Sequence, residues 1–185
     1  MKPFVPEDFE VPAGLDRPHF RLRMLRASDV QADYEAVMAS AARLRAGSPH
    51  GWPRPGFTLA ENLADLERHE WEFLHRQAFA YTVVAPDESS VLGCVYINPS
   101  SINPSRFEAD IVDPHTGQPA GEGHAADVYL WVRDEHHPAL TGDLLQAVRG
   151  WLVSSWPFER VRWIRTAYYL DDPAATGNGG RTSEI

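Results

Sequence analysis

The chain has one cysteine, Cys94, in 185 residues. That excludes an internal disulfide and any cysteine-rich zinc module. It is also poor in bases: 17 Lys and Arg stand against 26 Asp and Glu, a formal net charge of −9 with His neutral. This deficit argues against nucleic acid or anionic membrane as a partner, because both are held by a basic face that displaces counterions. Long apolar runs are missing, and none approaches the roughly 20 residues that span a bilayer. The opening MKPFVPEDFE has proline and acids where a secretory signal needs an apolar segment. The expectation is a soluble, cytoplasmic, acidic α/β protein, long enough to bury a core unaided.

What is present divides the chain into three parts. Residues 1–18 hold Pro3, Pro6, Pro12 and Pro18 and read as an extended N-terminal arm without regular structure. Residues 19–170 carry the periodic patterns of a single domain. Residues 171–185 contain Gly177, Gly179 and Gly180 and no apolar period, so a loose tail is expected.

Within the domain, Phe20, Leu22 and Met24 alternate with Arg21 and Arg23, the pattern of a half-buried strand with arginines on the solvated face. Ser28 and Gln31 have the spacing of a capping box, followed by Val30, Tyr34, Val37 and Met38 on one helical face. A Gly/Pro cluster from Gly47 to Gly56 ends that unit. Thr58 and Glu61 form a second capping box, with Leu59, Leu63, Leu66 and Phe73 as the buried stripe of a helix running to about His75. Phe79–Ala85 and Val91–Ile97 read as a hairpin around residues 86–90. Residues 98–123 are a long irregular excursion rich in Pro and Gly. A strand at 126–133, a helix at about 140–155 and a strand at 158–166 follow. The last three imply a right-handed crossover and a parallel pair. The architecture expected is a mixed, mostly antiparallel sheet with helices on both faces.

Several side chains have two readings on residue type alone. Asp127 at a strand start is a solvated carboxylate, an arginine partner or a catalytic base. Trp52, in the loop Gly51-Trp52-Pro53-Arg54-Pro55, either covers the core or contacts a ligand; Arg54 either meets an anion or is solvated. His115, His124, His136 and His137 lack the fixed spacing of a metal site, and no metal is expected. Cys94, inside an apolar strand, reads as a small packed hydrophobe.

Four stretches, in this order, resemble one family. They are Phe20-Arg21-Leu22-Arg23-Met24-Leu25 with Ser28-Asp29, Val91-Leu92-Gly93-Cys94-Val95-Tyr96-Ile97, Ala126-Asp127-Val128-Tyr129-Leu130-Trp131-Val132, and the helix start near Gly142-Asp143-Leu144-Leu145. Over residues 18–166 the chain resembles the GNAT superfamily of acetyl-CoA-dependent N-acetyltransferases. In that family a turn of the form Gln/Arg-x-x-Gly-x-Gly/Ala holds the coenzyme A pyrophosphate on backbone amides. A helix N-terminus suits that task because its first N–H groups have no intrahelical partner. Here the window is His137-Pro138-Ala139-Leu140-Thr141-Gly142: Gly142 matches the last small position, while His137 and Leu140 replace the Gln/Arg and the central glycine.

The resemblance implies transfer of acetyl from acetyl-CoA to a primary amine of a small molecule or protein by direct attack. Leu130, Trp131 and Val132 would pair with the pantetheine arm, and His137, Thr141, Gly142 and Asp143 would hold the pyrophosphate. Asp127 is the implied base, with Glu108 and Asp110 as alternatives or acceptor contacts beside Trp52 and Arg54. Tyr168 or Tyr169 is the implied acid. The altered turn and short C-terminal region favour another reading, a catalytically inactive GNAT-like module for ligand binding or dimerisation. A homodimer is expected under both, because a short C-terminus leaves a sheet edge uncovered.

Overall fold

The computed structural model describes residues 4–48, 50–100 and 124–164. Glu108, Asp110, Tyr168 and Tyr169 lie outside the described residues. In chain order the elements are β1 (Gly14–Asp16), β2 (Arg21–Met24), α1 (Val30–Ala39), α2 (Ala41–Gly47), α3 (Leu59–Leu74), β3 (Phe79–Val84), β4 (Val91–Pro99), β5 (Ala125–Val132), α4 (Ala139–Ser155) and β6 (Arg160–Trp163). They build one six-stranded sheet in the order β1-β2-β3-β4-β5-β6. Every neighbouring pair is antiparallel except β5 and β6, which are parallel and joined through α4.

The sheet is covered on both faces, which is why β3 is buried along its whole length instead of alternating. On one face, Leu144, Val148 and Leu152 of α4 pack with Leu22, Tyr81, Val95 and Leu130. On the other, Ala36, Val37 and Leu66 of α1 and α3 pack with Ala80, Cys94 and Trp131. Cys94 is a packed core residue, as its strand context predicts.

Local structure departs from the sequence pattern at four places. The arm is neither loose nor wholly irregular. Phe4 stacks on Phe79 and Phe158 at 5.5 and 5.3 Å, Val5 is buried, and Gly14–Asp16 adds an edge strand. The first helix starts differently: Asp29, not Ser28, closes the turn by accepting the Arg26 amide at 3.0 Å, and Gln31 instead donates to Glu35. A break at buried Ser40 splits off α2, which the sequence pattern misses. The α3 stripe is rotated, because Leu59 and Leu63 are exposed while Asn62 and Leu66 are buried. By contrast the Thr58/Glu61 capping box forms as expected: the Thr58 amide donates to Glu61 at 2.9 Å and the Glu61 amide to Thr58 Oγ1 at 3.3 Å. Arg21 and Arg23 pair with Asp16, Asp29 and Glu88 across the sheet edge.

Gly93 sets how closely β4 and β5 approach. A Cβ there would lie 2.0 Å from the Trp131 carbonyl oxygen and 3.0 Å from Val132 Cα, and backbone cannot yield as a flexible side chain can. Gly93→Ala is expected to destabilise the protein by about 1–3 kcal/mol. Urea unfolding should show a lower midpoint with an unchanged slope.

Candidate active site

Side chains alternate along β5, so Tyr129 and Trp131 project towards α1–α3 while Val128, Leu130 and Val132 face α4. Between the first pair and the helices lies a cavity of about 500 Å³. Tyr96, Asn98, Tyr129 and Trp131 form its floor; Asp33, Asn62, His69 and Glu72 form one wall; Trp52 and Arg43 help to close it. At one end the lining reaches Leu130 and Ile164.

The floor is aromatic. Tyr96 and Tyr129 stack with ring centroids 4.5 Å apart, and His69 lies 5.1 Å from the Tyr96 ring. Burial pushes the Tyr129 phenol up to about 12, opposed by a hydrogen bond with Asn98, and raises the Tyr96 phenol well above its usual range. Both therefore keep their protons at neutral pH. The buried Trp131 indole N–H lies beside Tyr96 but makes no hydrogen bond of sound geometry.

The acidic wall is built by helix spacing. Asp33 of α1 accepts from Asn62 Nδ2 of α3 at 2.9 Å and from the Cys94 thiol at 3.5 Å. Burial, outweighing those bonds, raises its carboxyl to about 6. About two turns along α3, His69 Nδ1 lies 3.1 Å from Glu72 Oε2, and Arg68 Nη1 donates to both Glu72 oxygens at 3.0 and 3.1 Å. Arg68 Nη2 lies 3.1 Å from His69 Nε2. An arginine can only donate, so Nε2 accepts and the proton is assigned to Nδ1, facing Glu72. Burial, then the Arg68 charge, lower the imidazole pKa, so the ring is neutral at pH 7.

Two backbone features adjoin the cavity. Ile164 N donates to the Val128 carbonyl at 2.8 Å, extending the β5–β6 pairing to the last described residue. The next outward-facing groups of β5, the N–H and C=O of Leu130 and Val132, have no backbone partner among the described residues. β5 then leads through residues 133–138 into α4. The Gly142 amide donates to the Pro138 carbonyl at 3.2 Å, whereas the amides of Ala139, Leu140 and Thr141 have no acceptor among the described residues. A Cβ on Gly142 would meet nothing within 4 Å, so the approach to this end is open.

The sequence-predicted residues distribute unevenly around this geometry. Leu130, Trp131 and Val132 lie on the strand expected, the first two lining the cavity. His137 Nδ1 lies 2.9 Å from Thr141 Oγ1 at the start of α4, and Thr141 is buried. Asp143 instead lines a separate shallow hollow with Arg17 and His19. Trp52 lines the cavity and also packs edge-on against Phe57 at 5.7 Å. Arg54 pairs with Glu61 and does not line the cavity. Asp127 lies on the cavity face of β5, but its carboxylate is taken by Arg162 of β6. Sequence reasoning misses Asp33, Asn62, His69, Glu72, Tyr96 and Tyr129. Polar Asn62, Leu66, His69 and Phe73 recur at helical spacing, a second stripe on α3 that the leucines conceal.

No family model matches the chain, and no curated protein sequence does either. Solved structures do. The ribosomal-protein-S5-alanine acetyltransferase of Vibrio fischeri is similar at 18% identity, over 82% of this chain and 73% of that one, with a TM-score of 0.60. The microcin C7 self-immunity acetyltransferase MccE, solved with acetyl-CoA and AMP, is similar at 10% identity, over 83% and 73% of the two chains, with a TM-score of 0.59. An acetyltransferase from Salmonella typhimurium that modifies the N-terminal serine of ribosomal protein L7/L12 is similar at 15% identity, over 86% and 76%, with a TM-score of 0.56. The six-stranded mixed sheet, its one parallel pair and these likenesses together show that the chain has the GNAT N-acetyltransferase fold.

Proposed function

We propose that the protein transfers an acetyl group from acetyl-CoA to an amine bound in the cavity over Tyr96 and Tyr129. The observation that carries this reading is the continuity between the cavity and the outward-facing backbone of β5 at Leu130, which has no backbone partner among the described residues. The outward N–H and C=O groups of Leu130 and Val132, without a backbone partner among the described residues, are suited to an extended amide-containing arm, which would pair as an added strand. The free amides of Ala139, Leu140 and Thr141 are suited to a pyrophosphate. Loss of the turn's central glycine does not close the site, because the helix start is uncapped and open at Gly142. An inactive binding module predicts the opposite, a turn whose amides are satisfied.

Acetyl-CoA supplies the activated thioester. Leu130 and Val132 position its arm, and α4 neutralises its phosphates. Tyr129, next to Leu130 and protonated at neutral pH, is the described phenol best placed to supply a proton to the leaving sulfur. The acceptor is a primary amine. Relatives in fold acetylate the N-termini of ribosomal proteins, so peptides with a free N-terminal Ser or Ala are the first acceptors to try, with a simple diamine as the small-molecule arm.

Gly142→Glu separates binding from folding. The variant side chain meets no neighbour, replaces a helical glycine and puts a negative charge in the first turn of α4, so thermal stability should hold or rise slightly. The same charge opposes phosphate, and calorimetric affinity for acetyl-CoA should fall at least about tenfold. Equal affinity in the variant would move the cofactor elsewhere. No binding by the native protein at millimolar acetyl-CoA would remove the reading.

A further inference from the structure

We propose that His69, oriented by Glu72, is the general base that takes the proton from the acceptor amine. The inference rests on the acetyl-transfer reading above and assigns the step that reading leaves open. An amine enters as an ammonium and cannot attack until it loses a proton. The base must therefore share the cavity with the thioester, be unprotonated at working pH, and have a lone pair that an amine can reach.

Among the described cavity carboxylates and imidazoles, His69 is the group whose accepting atom, Nε2, faces one described partner, a half-exposed arginine. Asp127 is held by Arg162. The oxygens of Asp33 accept from Asn62 and Cys94, and those of Glu72 accept from Arg68 and His69. Asp65 lies 3.6 Å from the Arg68 guanidinium. The His69 ring is largely buried, fixed by Glu72 at Nδ1 and by Tyr96 on its face, and directs Nε2 to a position held only by Arg68. Arg68 is half exposed and stays anchored to Glu72 through Nη1, so its Nη2 contact can give way to an amine. The groups facing the imidazole are Arg68, Glu72 and Asp65 from α3, Tyr96 from β4 and Tyr129 stacked behind it from β5. Arg68 and burial keep the ring neutral, while Glu72 stabilises the imidazolium once it forms.

The step balances without any further reactant. One ammonium proton moves to Nε2. The uncovered nitrogen pair forms the C–N bond at the thioester carbonyl carbon, the C–S pair leaves with sulfur, and the second nitrogen proton ends on that sulfur. The imidazolium then releases its proton to solvent. Glu72 is a positioning residue, which holds the tautomer that leaves Nε2 free.

The test uses the full chain, acetyl-CoA, and a peptide with a free N-terminal Ser or Ala, or a diamine, as acceptor, between pH 6 and 10. His69→Gln should lower kcat about 10²–10³-fold, with acetyl-CoA affinity unchanged. The native enzyme should be level across neutral pH. The variant should gain roughly tenfold per pH unit until the amine's own pKa, because it depends on free amine. Glu72→Gln should lose less kcat and show a displaced pH profile. If His69→Gln does not fold, the Glu72→Gln profile carries the test. Unchanged kcat and profile in a folded His69→Gln, or in Glu72→Gln where that variant carries the test, overturn the base. A native protein that binds acetyl-CoA but acetylates no acceptor, or binds none, overturns the reading beneath it instead.

Discussion

Arg162→Met should destabilise the protein by about 3–5 kcal/mol, because it strands the Asp127 carboxylate in the sheet. Both partners are largely buried, with side-chain exposures of 15% for Arg162 and 10% for Asp127. Arg162 Nε donates to Asp127 Oδ1 at 2.9 Å while a terminal nitrogen takes Oδ2, a two-point grip across the parallel β5–β6 pair. Removing the cation leaves a desolvated anion that must either stay unpaired or take up a proton. Removing both partners with Asp127→Leu and Arg162→Met should recover most of the loss, since a buried ion pair contributes little beyond what apolar packing would. Urea midpoints of the two single variants and the double variant close the cycle. A double variant as unstable as Arg162→Met alone would mean that Arg162 works through its other contacts. Activity should follow stability here: folded Asp127→Asn keeps turnover if Asp127 is structural, and loses it if Asp127 is the base that the family resemblance implies.

The contrast between Asp127 and His69 marks the limit of what the sequence discloses. Strand and helix periods, the Thr58/Glu61 cap and the parallel crossover are local or nearly so, and each is legible in the residues. The start of α4 after Pro138 is legible too. The cavity is different. Asp33, His69 and Tyr96 lie on three separate elements, and only the packing of α1 and α3 across β4 brings them to one cavity. Of the readings open for Asp127, the arginine partner is formed, and that partner, Arg162, becomes a neighbour only through the register of β5 and β6. The rotated α3 stripe is the one local clue. A helix that exposes Leu63 while burying Asn62 has a polar reason for its orientation, and that reason is the cavity.

Asp33 should make the fold less stable as pH rises, and Asp33→Asn should remove that slope. Burial raises the carboxyl from 3.8 to about 6. Between about pH 4 and 6 the folded chain holds a proton that the unfolded chain has released. Stability is therefore fully present below pH 4, falls through that window, and stays lower above it, by about 3 kcal/mol for a shift of this size. Asparagine carries no charge, and its oxygen can still accept from Asn62, although its amide meets Cys94 less well. Urea unfolding should put Asp33→Asn about 2 kcal/mol above the native protein at pH 7.5 and near it at pH 4. A variant less stable at pH 7.5 would show that the Asn62 and Cys94 bonds outweigh desolvation. If the gain is real, the native chain retains an unfavourable anion on the cavity wall, where it gives a cationic amine a complementary charge. Asp33→Asn should then raise the amine KM while leaving acetyl-CoA affinity alone, so that the stability gained at this wall is matched by a loss in acceptor capture.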